Sequence, residues 1–173
     1  SFSNGLRKTI DSGKTWLTSF TGNINGLFFS SELVGYLFRE NDKRIYKTIT
    51  SGNIWYPLSI ISEYSGSSTF TVLQFINTSG WLNDGSRLFK TSDGGLTWNI
   101  LLTTNNSSIR DFQFLSDLIG YVATDDEIFK TIDGGKTFAR HCKISSGYFI
   151  EIYFENENSG WACGEKVLLR LKQ

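Results

Sequence analysis

The chain has no methionine, a single proline and a single histidine among its 173 residues. One His with scattered carboxylates offers no metal-ligand spacing, so neither a metal nor a cofactor is implied. Cys142 and Cys163 fit one disulfide or two buried thiols, and two cysteines say little about redox compartment. Charge of one sign is missing too: 17 basic and 17 acidic side chains cancel. That argues against a general nucleic-acid or anionic-membrane surface, though not against a local patch. No stretch approaches the ~20 apolar residues of a membrane span. The absent initiator methionine, with no signal peptide in view, reads as a processed or trimmed chain whose start lies upstream.

What is present is aromatic and glycine-rich: aromatics make up 15% of the chain and Gly numbers 17. Many short strands with aromatic anchors and Gly turns give this profile. One phrase recurs: Lys8-Thr-Ile-Asp-Ser-Gly-Lys-Thr-Trp16, Lys47-Thr-Ile-Thr-Ser-Gly-Asn-Ile-Trp55, Lys90-Thr-Ser-Asp-Gly-Gly-Leu-Thr-Trp98 and Lys130-Thr-Ile-Asp-Gly-Gly-Lys-Thr-Phe138. The starts lie 39, 43 and 40 residues apart, the period of a repeated supersecondary unit. Asp11, Asp93 and Asp133 can accept bonds from turn N–H groups, while Gly13, Gly52, Gly95 and Gly135 suit positive φ. Strand formers flank each turn, so each phrase is expected to be a hairpin capped by Trp16, Trp55, Trp98 or Phe138. The second copy has Thr50 in place of Asp, which predicts a looser turn.

A second landmark lies between the hairpins: Phe29…Gly35-Tyr36, Phe75…Gly80-Trp81, Phe114…Gly120-Tyr121 and Phe154…Gly160-Trp161. An apolar strand precedes each Phe, a second opens at the Gly-aromatic pair, a third enters the phrase and a fourth leaves it. Four strands per ~42 residues is the unit of a propeller blade. The expected fold is all-β: one β-propeller domain over residues 1–173, or the C-terminal part of a larger one, with about four repeats of four-stranded antiparallel blades. Residues 5–9 and 167–171 claim the same third-strand slot. The N-terminal hairpin near Thr15 to Ser19 is a candidate to complete the last blade and close the ring.

The phrase resembles the Asp-box, or BNR repeat, of sialidases, sortilin-type receptors and the propeller-type photosystem II assembly factors. The fuller repeat is most similar to the last group and its bacterial relatives. The resemblance implies that the boxes brace blades away from the ligand face, and that the protein works outside the cytoplasm, secreted or periplasmic. It also raises a sialidase-like glycoside hydrolase, or a fragment of one, as the alternative function. Those enzymes use three arginines, a Tyr–Glu pair and an Arg-Ile-Pro motif. Here Pro57 has no Arg before it, and most of the seven arginines fall at equivalent positions of the repeat.

Lys8, Lys47, Lys90, Lys130 and Arg170 share one repeat slot. They form either a basic ring for an anionic partner, or cations that each neutralise their own box carboxylate or cap a strand end at the rim. His141, on a fourth strand, reads as a surface side chain. Function is expected where the repeats differ, in the connections at residues 19–23, 60–68 and 103–108. There Phe20, Asn23, Tyr64, Asn105 and Asn106 are the candidate binding residues, with Tyr64 as the aromatic anchor. The reading is a non-catalytic module that presents this loop face to a protein or carbohydrate.

Overall fold

Stretches of four or five strand formers, cut by Gly, Asn and Ser at every turn, pair most readily with their neighbours in sequence. The protein, a computed structural model that describes residues 5–65 and 72–172, is built in that way. A hairpin of β1 (Gly5–Lys8) and β2 (Leu17–Thr21) comes first. Three four-stranded antiparallel sheets follow in chain order. The first holds β3 (Gly26–Phe29), β4 (Gly35–Arg39), β5 (Arg44–Thr48) and β6 (Tyr56–Ile60). The second holds β7 (Leu73–Ile76), β8 (Ser79–Asn83), β9 (Arg87–Thr91) and β10 (Asn99–Thr103). The third holds β11 (Asp111–Phe114), β12 (Gly120–Ala123), β13 (Glu127–Thr131) and β14 (Ala139–Lys143). A three-stranded sheet of β15 (Tyr148–Asn156), β16 (Ser159–Glu165) and β17 (Val167–Lys172) ends the chain. One 3-10 turn, Glu40–Asp42, is the sole helical element among the described residues.

The core lies between sheets. The second strands β8 and β12 are buried along their whole length, whereas the fourth strands β6, β10 and β14 are half exposed. Pro57 sits on β6, an outermost strand, where its missing N–H disturbs no ladder beyond. Each Gly-aromatic pair has a packing reason. A Cβ at Gly80 would run into the Phe75 ring of its own sheet, so only Gly lets that ring lie flat on the backbone. The following aromatic then stacks on the Phe of the next sheet: Tyr36 on Phe75 at 3.6 Å, Trp81 on Phe114 at 4.1 Å and Tyr121 on Phe154 at 3.5 Å. Side-chain amides stitch the innermost strands as a strand would. Gln74 accepts from Phe114 N at 2.8 Å and donates to Phe114 O at 2.7 Å, and Gln113 repeats the pair on Phe154.

The N-terminal hairpin does not complete the last sheet, which corrects the expected closure. β17 fills the third position of the C-terminal sheet, and β1 bonds only to β2. The hairpin is held on the first sheet instead, where Lys8 Nζ donates to Ser51 O at 3.0 Å and Phe20 packs edge-on to Tyr46.

Candidate binding face

Strand alternation separates two ends of each sheet. At one end sit the repeated hairpins, and their turns are built by carboxylate and hydroxyl together. Asp93 accepts from Thr97 Oγ1 at 2.6 Å, Thr97 N at 2.9 Å, Leu96 N at 2.9 Å and Thr91 Oγ1 at 2.7 Å. Asp11 and Asp133 bond Thr15 and Thr137 in the same way. These donors, the Thr15 hydroxyl first, hold the Asp11 carboxyl down at about 2. The Thr137 hydroxyl does the same for Asp133, also at about 2, and Asp93 lies well below the usual carboxylate range. Each carboxylate thus ties the two sides of its own turn together.

The entering Thr is a second brace that composition alone did not single out. Thr9, Thr48, Thr91 and Thr131 each accept the N–H of the fourth residue on, Gly13, Gly52, Gly95 or Gly135, at 2.8–3.0 Å. Its presence in all four phrases was the available signal. It also explains why the second hairpin keeps the shared path: Gly52 has φ 75° beside 93° at Gly95, and Thr50 Oγ1 accepts Ile54 N at 3.0 Å. The hydroxyl replaces the carboxylate with fewer bonds rather than a different turn. Trp16 and Trp98 donate to Gly13 O at 3.1 Å and Gly95 O at 3.3 Å. Trp55 donates to Ser19 Oγ of the preceding hairpin instead.

The cations of the basic slot reach backbone carbonyls and aromatic rings at the rim, in keeping with the capping of strand ends. Lys90 Nζ donates to Gly134 O of the next sheet at 3.0 Å and Lys130 Nζ to Glu157 O at 3.2 Å. Lys47, Lys90, Lys130 and Arg170 also lie 5.2–5.6 Å over Tyr36, Trp81, Tyr121 and Trp161, their cross-strand partners.

At the opposite end, the connections that follow each fourth strand are pinned to the turn between second and third strands. Asn25 Nδ2 donates to Glu40 Oε2 at 2.7 Å. Ile61 N donates to Lys43 O at 2.8 Å and Thr104 N to Ser86 O at 2.8 Å. Ser108 N donates to Asp125 Oδ2 at 2.9 Å. The arginines here pair within their own sheets: Arg39 with Asp42, Arg87 with Asp84 at 2.6 Å and Arg110 with Asp125 at 2.6 Å.

Three grooves run between a fourth strand and the hairpin or third strand of the next sheet. The first, about 400 Å³, is lined by residues 18–21 and 53–55. The second, about 240 Å³, lies between residues 60–63 and Phe89, Leu96, Thr97 and Trp98. The third, about 320 Å³, lies between residues 102–105, Ser107 and Thr124, Glu127, Phe129 and Phe138.

Comparison with solved structures decides the architecture. The chain superposes on YCF48 from Cyanidioschyzon merolae with TM-score 0.69 at 17% identity, covering 96% of this chain and 62% of that one. Against a GH74 xyloglucanase from Xanthomonas campestris the score is 0.73 at 13% identity, covering 98% of this chain and 34% of that one. Against the WD40 β-propeller domain of Doa1 it is 0.69 at 15% identity, covering 96% and 57%. The fold is a β-propeller's. Likeness at this identity concerns fold alone, and the chain spans less than two thirds of each of these neighbours. No family model and no curated protein matches the sequence.

The propeller distributes the expected binding residues unevenly. Phe20 and Asn105 line the first and third grooves, and Asn23 and Asn106 are exposed on their loops. Tyr64 corrects its expectation as an exposed anchor. It is 1% exposed, its ring 4.6 Å from Phe38 in the core, because a large aromatic in a short loop gains more by folding back. Residues 66–68 of that loop lie outside the described residues.

His141 is not a plain surface residue either. It packs edge-on to Tyr121 at 5.5 Å, and burial, with Lys130 nearby, holds its pKa down. Cys142 and Cys163 are both free thiols, and burial raises the pKa of Cys142. Among the described residues no cluster of three His, Cys, Asp or Glu could hold a metal, and no helix is long and apolar enough to cross a membrane.

Proposed function

We propose that this propeller is a non-catalytic binding module that presents its loop face to a protein or carbohydrate partner. The observation that carries the reading is the pinning of the connections after β2, β6 and β10. Turn residues fix their backbones, while the outward side chains Asn23, Asn105 and Asn106 vary with the repeat. A surface ordered before it meets its partner loses less freedom on binding. The hairpins at the other end are then Asp-box braces, in keeping with the resemblance, which also supports an extracytoplasmic setting. Against glycoside hydrolysis, Arg39, Arg87 and Arg110 are each engaged by a carboxylate of their own sheet, which leaves no three-arginine clamp among them.

The test is a glycan array and a peptide array probed with the purified chain, beside the double variant Asn105→Ala, Asn106→Gly. Gly respects the φ of 64° at Asn106. Capture lost at an unchanged melting temperature supports the loop face. Turnover of sialosides or other glycosides by the parent chain overturns the reading.

A further inference from the structure

The third strands β5, β9 and β13 each carry an aromatic at their third residue, Tyr46, Phe89 or Phe129, turned towards the fourth strand of the sheet before. The chain covers the first two rings by different means. Phe20 of β2 sets its ring edge-on to Tyr46 at 4.9 Å, and Arg39 lies 5.1 Å over the same ring. Arg87 lies 5.3 Å over Phe89, which is 1% exposed. At the third junction both devices are gone. The fourth residue of β10, equivalent to Phe20 in β2, is Leu102, and the first residue of β13, equivalent to Arg87 in β9, is Glu127. A carboxylate is repelled by the negative face of an aromatic ring and cannot cover it. Arg140, the cross-strand partner of Phe129, reaches Glu127 at 3.2 Å instead. Phe129 is left half-buried and, with Phe138, forms the aromatic wall of the third groove, about 320 Å³. Both sheets that form this groove have a neighbour stacked on either side, so the opening belongs to the junction itself.

The rest of the lining says what fits the space. Thr103 and Asn105 bring a hydroxyl and a side-chain amide that bond nothing else among the described residues. Glu127 keeps Oε2 open, because Arg140 and Lys143 both donate to its Oε1 at 3.2 Å. Lys143 also pairs with Asp126 at 3.0 Å, so these two cations and two carboxylates cancel and leave no charge for an ionic ligand to pair with. A ligand must therefore give Phe129 an apolar face, as Phe20 gives Tyr46, and carry neutral hydroxyls around its edge. A pyranose ring has this make-up, with C–H groups on its face and hydroxyls at its rim. The volume lies at the lower end of the range for small-ligand sites, about 300–1,000 Å³.

We infer that the groove between the second and third sheets binds a neutral sugar ring of an oligosaccharide. Its face lies on Phe129, and its edge hydroxyls reach Thr103, Asn105 and Glu127 Oε2. The inference rests on the loop-face reading, since Asn105 belongs to that face, and narrows the partner to a carbohydrate.

Saturation-transfer NMR on the 173-residue chain with cellotetraose, maltotetraose, mannotetraose and chitotetraose tests it. At least one of these sugars is expected to bind in the millimolar range, because one ring contact and a few neutral hydrogen bonds must also offset the freedom the ligand loses. Leu102→Phe puts into the groove the ring that Phe20 supplies at the first junction and is expected to abolish the transfer. Asn105→Ala, at an exposed side chain, is expected to weaken it at an unchanged melting temperature, and carries the test if Leu102→Phe melts early. No transfer to any of these sugars overturns the inference, as does transfer that survives both substitutions. Stronger transfer to trigalacturonate than to the neutral sugars overturns it too, since the groove would then be reading charge. A parent chain that captures a peptide on its loop face but none of these sugars overturns this inference alone and leaves the loop-face reading standing.

Discussion

Trp81 and Trp161 follow equivalent glycines, face equivalent cross-strand cations and sit on equivalent second strands, yet one is fully buried and the other half exposed. The difference lies wholly in the neighbour. Trp81 has Phe114 stacked on it at 4.1 Å, whereas among the described residues no ring of another sheet stacks on Trp161. A propeller sheet has two inward-looking faces, so each repeat completes its own core only when flanked on both sides. The same residue is therefore a keystone in the second sheet and an open surface in the last.

The sharpest way to break this comparison is truncation of both rings. Trp81→Ala removes a buried indole and its stack and should cost about 3–5 kcal/mol in urea denaturation. Trp161→Ala, measured on dilute chain, should stay within about 0.5 kcal/mol of the parent. Equal costs would mean that Trp161 is covered within the single chain.

A smaller effect sets the inner strands against the corner hairpins. Burial pushes Asp111 up to about 6, although it accepts Ile152 N at 2.8 Å, while the hairpin carboxylates are held down. The two therefore act with opposite sign. The folded chain binds the Asp111 proton more tightly than the unfolded chain, so stability falls as pH rises from about 4 to 6, by on the order of 2–3 kcal/mol. The hairpin carboxylates give stability that is present above about 4 and lost only as pH falls towards their folded values. Thermal melts across this range should show the decline between pH 4 and 6 in the parent and flatten it in Asp111→Asn. A parent curve that tracks the variant's between pH 4 and 6 would reject the Asp111 assignment.

The smallest effects compare the third hairpin with the second. Asp93→Ala strips the acceptor from Thr97 and Leu96, but in an exposed turn the loss should be about 1 kcal/mol or less. Thr50→Asp supplies the missing acceptor on an unchanged backbone path and should gain a few tenths of a kcal/mol, read as a small rise in melting temperature. If Thr50→Asp destabilises, the hydroxyl is not a substitute for the carboxylate.

The chain's own residues determined the strand order, the hairpin turns and the propeller architecture, because these depend on local alternation, glycine placement and a period repeated along the sequence. Asp11, Asp93 and Asp133 were legible as acceptors of turn hydrogen bonds for that reason: their partners lie two to four residues away. Tertiary structure alone decided what depends on the neighbouring sheet. It turned Tyr64 into the core, sent Lys90 to the carbonyl of Gly134 rather than to a carboxylate of its own hairpin, and held the N-terminal hairpin on the first sheet instead of the last. Such contacts join residues far apart in the sequence, 44 positions for Lys90 and Gly134, and whether a ring or a cation meets solvent there depends on what packs beside it, which no local pattern encodes.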